Sequence, residues 1–135
     1  MATKEPITCH VLDTTTGRPA PHMICTLTCA TSPTIAFTAV TNTDGRIAKW
    51  ESELPASGTP HSIASLIKEQ AEKVGGGIVE KGASVWQIRF NTGAYYGVGK
   101  TFWPVVELTF FVKEGEHFHV PLLVGPYSYT TYRGS

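Results

Sequence analysis

At 135 residues, with eleven Lys and Arg balanced by eleven Asp and Glu, the chain is sized for one domain with a real core and projects no net field. Nucleic acid and anionic membrane surfaces are therefore not expected partners, and any charged ligand must be held by local groups. The longest apolar runs, such as residues 121–124, fall far below the roughly 20 residues that cross a bilayer, so no membrane role is expected.

Residues 1–7 carry a lysine but no apolar stretch of the secretory kind, which makes a cytoplasmic setting the expectation. Ile7, Cys9 and Val11 then alternate with Thr8, His10 and Leu12, the period of a strand, before the run breaks at Asp13-Thr14-Thr15-Thr16-Gly17-Arg18-Pro19. Adjacent strand residues face opposite ways, so Cys9 does not share the face of His10 and reads as a small buried residue rather than a catalytic thiol. Cys25 and Cys29 fall in phase on a second strand, residues 23–29. Three cysteines without a signal segment argue for free thiols. A third strand is expected over 35–40, followed by a polar turn, Thr41-Asn42-Thr43-Asp44-Gly45-Arg46, which leaves Arg46 at a loop edge.

Residues 55–82 do not read as β. Ile63, Leu66 and Ile67, joined by Ala71 and Val74, recur at helical spacing within about 60–75. Ser62 or Pro60 can open that helix and Gly75-Gly76-Gly77 can end it. Further strands are expected over 84–90, 105–112, 117–124 and 127–132, with a short helical turn near 93–97. Gly125-Pro126 should join the last two as a hairpin, with positive φ at the glycine. On residues 117–124, Phe118, Val120, Leu122 and Val124 form a core face, which turns His117, His119, Pro121 and Leu123 away from the core. At least seven short strands bounded by Gly, Pro or Asn imply an all-β sandwich or barrel.

Hydrolysis without a metal needs a proton acceptor near pH 7, a group to receive the oxyanion and something to orient the substrate. His10 and His119 are the candidate acceptors; Arg46 and Arg133 would favour their neutral forms and offer planar donor forks to a flat heterocycle. Tyr132 and Ser135 add short-range donors at the end of an aromatic, alternating run that reads as ordered. His22 and His61 read as solvated. The spacing His117-Phe118-His119 would let two strand histidines share a metal with His10, backed by Glu116, but no further Cys, Asp or Glu cluster supports it and no metal is expected. Each group alone is ordinary; only a fold can bring them together.

Blocks spread along the chain resemble the transthyretin-like 5-hydroxyisourate hydrolases: Ile7-Thr8-Cys9-His10-Val11-Leu12-Asp13, Thr16-Gly17-Arg18-Pro19-Ala20, Asp44-Gly45-Arg46, Arg89-Phe90-Asn91-Thr92-Gly93, Phe102-Trp103-Pro104, His119-Val120-Pro121-Leu122-Leu123 and Tyr132-Arg133-Gly134-Ser135. The resemblance implies a sandwich of two four-stranded sheets and a homotetramer, a dimer of dimers with sites in a central channel. It implies His10, Arg46, His119 and Ser135 as the catalytic set, with Tyr132 and Arg133 binding substrate. It also implies hydrolytic opening of 5-hydroxyisourate without a cofactor, in the cytosol or alternatively the peroxisome; the ending Arg-Gly-Ser is no Ser-Lys-Leu-type address and favours the cytosol. Cys9 stands where the family more often has a small hydroxyl residue, and 55–82 is longer than the usual connection, as a helix-bearing surface insertion would be. The related hormone carriers lack the terminal tetrapeptide and the paired histidines, which sets this chain with the enzymes.

Overall fold

The computed structural model describes residues 5–53, 62–72 and 79–135. Alternating apolar residues produce β1 (Ile7–Asp13), β3 (Ile24–Cys29) and β4 (Ser32–Val40), and between and after them lie the two-residue strands β2 (Arg18–Pro19), β5 (Arg46–Ile47) and β6 (Glu51–Ser52). Helix α1 (Ile63–Ala71) follows, then β7 (Ala83–Phe90), α2 (Thr92–Tyr96), β8 (Val106–Lys113), β9 (Phe118–Val124) and β10 (Tyr129–Thr131). One sheet runs β10-β9-β1-β2 with β5 also on β1, and the other runs β6-β4-β3-β7-β8. Ile7, Val11 and Leu122 from the first meet Leu27, Trp86 and Ile88 from the second in one core, so the expected sandwich forms. Its sheets hold five strands each, not four. The extra members are two residues long and too short to show a period: β2 and β5 share the second edge of β1 between them.

Helix α1 starts where expected, with the Ser62 side chain accepting from the Ser65 amide. It is more than a surface appendage, because Ile63, Leu66 and Ile67 join the core and the helix packs on β7 and β8. Pro60, Val74 and Gly75-Gly76-Gly77 lie outside the described residues, as do 54–61 and 73–78 more generally. The β9–β10 hairpin closes with the Gly125 amide donating to the Ser128 carbonyl at 2.8 Å. Gly125, however, is not among the positive-φ residues. A Cβ there would sit 2.8 Å from Thr14 Oγ1, so a side chain at this position would require the threonine hydroxyl to turn aside. All three cysteines are free and buried, and a hydrogen bond to Cys25, with burial, pushes the Cys9 thiol well up, away from thiolate chemistry.

Asp13, at the end of β1, ties α2 to the first sheet. Its carboxylate accepts from the Thr15 amide at 2.9 Å and from the hydroxyls of Thr15 at 2.5 Å, Tyr95 at 2.9 Å and Tyr96 at 3.2 Å. Burial pushes the carboxyl up, but those donors outweigh it and hold it below its ordinary range. The same contact, after burial, pushes Tyr95 up to about 12. Asp13→Asn should cost about 2–3 kcal/mol, because two phenols lose a charged acceptor. The midpoint of thermal unfolding should fall by on the order of 10 °C. A depressed carboxyl stabilises above its unfolded value, near 3.9, and the contribution fades as pH falls through the folded one. The raised phenol contributes below about pH 10 and fades as pH rises through about 12. Denaturant titrations of both proteins across pH check this: the acid slope assigned to Asp13 should vanish in the variant.

Candidate active site

β1 and β9 run parallel, with Thr8 opposite His119 and His10 opposite Pro121. Thr8 and His10, two apart, share the face away from the core, and so do His119 and Pro121. The two catalytic candidates therefore become neighbours: the His10 and His119 rings stack with centroids 6.3 Å apart and planes at 26°. On the other edge of β1, β5 sets Arg46 opposite His10.

Arg46 is delivered there by the turn before it. Asn42 Oδ1 accepts from the amides of Asp44 at 2.9 Å and Arg46 at 3.0 Å. Gly45, at φ +70°, sends its carbonyl to the Val11 amide at 2.8 Å. Only glycine fits, because a Cβ would strike the Val11 carbonyl oxygen and stand 3.0 Å from the Ala20 amide. The loop edge expected for Arg46 is thus the first residue of a short strand.

The terminal tetrapeptide closes the site from the other side. Gly134 bridges to His119, its amide donating to the His119 carbonyl at 2.9 Å. His10, Arg46, His119, Tyr132, Gly134 and Ser135 line one cavity of about 490 Å³. Arg133 does not line it. Its guanidinium lies 4.7 Å over the Phe118 ring and 3.6 Å from Glu116, beside an adjoining cavity of about 600 Å³ that shares His119 and Tyr132. Adjacent residues of an extended tail face opposite ways, which sets Arg133 apart from Tyr132 and Gly134, and Gly134 itself lies close against His119. Sequence reading passed over Thr8, whose hydroxyl touches the His119 ring at 2.8 Å. Its place two residues before His10 was the available signal.

Burial, then the Arg46 charge, lowers His10 below its ordinary value, against an opposing pull from Asp44. The ring is thereby kept neutral and proton-accepting near pH 7. Arg46→Met should let His10 hold its proton to higher pH, moving the acid limb of a kcat/KM profile upward; an unmoved limb would show that Arg46 does not tune it. Among the described residues no group of His, Cys, Asp and Glu has the arrangement of a metal centre. The cavity instead offers two imidazoles, a guanidinium fork, a phenol and a hydroxyl, a set suited to a flat, polar, uncharged or anionic ring and to proton transfer from water.

The HIUase/Transthyretin family profile matches residues 7–134. A probable 5-hydroxyisourate hydrolase of Schizosaccharomyces pombe is 35% identical across 96% of this chain and 90% of its own. The mouse 5-hydroxyisourate hydrolase is 36% identical across the full length of both. Among solved structures, the Klebsiella pneumoniae 5-hydroxyisourate hydrolase superposes with a TM-score of 0.64 at 25% identity, over 98% of this chain and 100% of that one. Sea bream transthyretin, at 24% identity and a TM-score of 0.64, shares the fold. The chain belongs to the HIUase/transthyretin family.

Proposed function

We propose that this protein hydrolyses 5-hydroxyisourate to 2-oxo-4-hydroxy-4-carboxy-5-ureidoimidazoline in urate breakdown, with water as nucleophile and no cofactor. The stacked His10 and His119 on the wall of a cavity that also holds Arg46 and Ser135 are the observation that carries this reading. The flat substrate lies against the histidine pair. A neutral imidazole takes a proton from water as its oxygen bonds to a ring carbonyl carbon, and Arg46 receives the developing oxyanion. Collapse breaks the carbon–nitrogen bond, and the imidazolium returns its proton to the departing nitrogen. Tyr132 and Ser135 orient the ring, and Arg133 contributes through the adjoining cavity.

The working form is a homotetramer. β8 and β10 are the outer strands of the two sheets, Phe111 of β8 and Thr131 of β10 line one groove, and Phe111 stays exposed there. Sedimentation should return the mass of four chains. Three free, buried thiols suit the reducing cytosol. The decisive test follows the ultraviolet decay of 5-hydroxyisourate freshly made from urate by urate oxidase. Decay well above the spontaneous rate supports the hydrolase; an unchanged rate removes it and leaves a ligand carrier.

A further inference from the structure

A chain of three polar contacts runs behind His119, on the side opposite Gly134. His117 Nδ1 lies 2.8 Å from the Glu5 carbonyl oxygen. His117 Nε2 lies 3.2 Å from Thr8 Oγ1, and that oxygen lies 2.8 Å from His119 Nδ1. The hydrolysis proposed above assigns no part to Thr8 or His117.

The protons follow from what each atom can do. A carbonyl oxygen only accepts, so His117 Nδ1 carries a proton and donates it. In the neutral ring Nε2 then accepts, and the available donor is the Thr8 hydroxyl, which has a single hydrogen. With that hydrogen directed to His117, Thr8 Oγ1 meets His119 Nδ1 as an acceptor. His119 Nδ1 is then the protonated nitrogen and Nε2 the basic one. The carbon next to Nε2, Cδ2, is the ring atom that faces Gly134 and the terminal tetrapeptide.

We infer that Thr8 and His117 are positioning residues that hold His119 as its Nδ1–H tautomer, so that Nε2 presents a lone pair to water in the cavity. The inference rests on the proposed hydrolysis and decides which imidazole serves it as base. Joining two strands does not require this chain of contacts, since β1 and β9 already pair along seven residues of backbone. Direction is what it adds. Were Thr8 to donate to His119, Nε2 would bear the hydrogen and the ring could polarise a carbonyl but not accept a proton. Fixing the tautomer of a catalytic imidazole through its other nitrogen is an established device, and losing it can cost up to about 10⁴-fold in turnover.

The test is two-bond proton–nitrogen correlation of the imidazoles in the uniformly ¹⁵N-labelled full chain at pH 8, above the ordinary histidine value of about 6.5. The His119 signal is assigned by its loss in His119→Asn. Wild type and Thr8→Ser should show a protonated Nδ1 and a pyridine-type Nε2. In Thr8→Val the acceptor is gone, and in His117→Phe the Thr8 hydrogen is released toward His119, so both should move population to Nε2–H. Turnover should follow: kcat falls by about 10- to 100-fold in both with KM little changed, and Thr8→Ser stays near wild type. A wild-type His119 protonated at Nε2, or a folded Thr8→Val with unaltered tautomer and kcat, overturns the inference. If Thr8→Val does not fold, the wild-type spectrum decides alone. A wild type inactive on 5-hydroxyisourate removes the proposed reaction, whereas an active wild type with the opposite tautomer removes only the relay.

Discussion

His119→Asn and His10→Asn should each lower kcat on 5-hydroxyisourate by about 10²- to 10⁴-fold, the range that a positioned acid–base group supplies. Neither should unfold the protein. Both rings sit on the face of their strands away from the core, half-buried, and asparagine keeps a polar side chain of moderate size, so the stability change should stay near ±0.5 kcal/mol. The double variant should be little worse than the poorer single one, because residues acting on one proton transfer do not add. Initial-rate ultraviolet assays with matched thermal melts check the prediction. Near-normal turnover in both single variants would remove the histidine pair from the mechanism. A lowered kcat for one and a raised KM alone for the other would divide proton transfer from binding between them.

The pair was legible early because its position depends on strand period. The alternation in Ile7-Thr8-Cys9-His10 and in His117-Phe118-His119-Val120 is enough to turn both histidines from the core. What alternation cannot give is the parallel pairing of β1 with β9, which joins residues more than a hundred apart and sets the two rings side by side. The resemblance to known hydrolases put both histidines in one catalytic set but did not give that pairing. Short elements escaped for a different reason: β2, β5 and β6 are two residues long and owe their shape to the neighbours they pair with. Gly125 shows the same limit on a single residue. Its neighbour Pro126 suggested a left-handed turn, whereas what crowds the position is Thr14, from another part of the chain. Likewise the apolar stripe of α1 was readable, but the surface it covers was not, since β7 and β8 follow later in the sequence.

Gly134→Ala should lower kcat/KM by about 10- to 100-fold while leaving the melting temperature almost unchanged, although it adds one methyl group at an exposed tail. The added Cβ would stand 2.6 Å from His119 Cδ2 and 3.0 Å from Pro121 Cγ. The gap to Cδ2 must therefore open by about 0.8 Å to reach ordinary contact at 3.4 Å. The imidazole cannot simply retreat, because Thr8 holds its Nδ1 at 2.8 Å from behind. The Gly134 amide also holds the His119 carbonyl at 2.9 Å, so the tail cannot leave without breaking a backbone bond worth about 1 kcal/mol. Either the ring or the tail shifts by a large part of an ångström. A tail shift carries Tyr132 and Ser135 with it, and misplacement on that scale costs on the order of 10²-fold in a preorganised site. The core is untouched, since Gly134 packs on Pro121 and His119 and not on the buried face of β9. Kinetics and calorimetry on the one variant separate the cases. Unaltered kcat/KM would mean that the Tyr132 to Ser135 segment does not need to touch His119 for turnover, and a melting temperature lowered along with kcat/KM would mean that the segment holds the fold rather than the substrate.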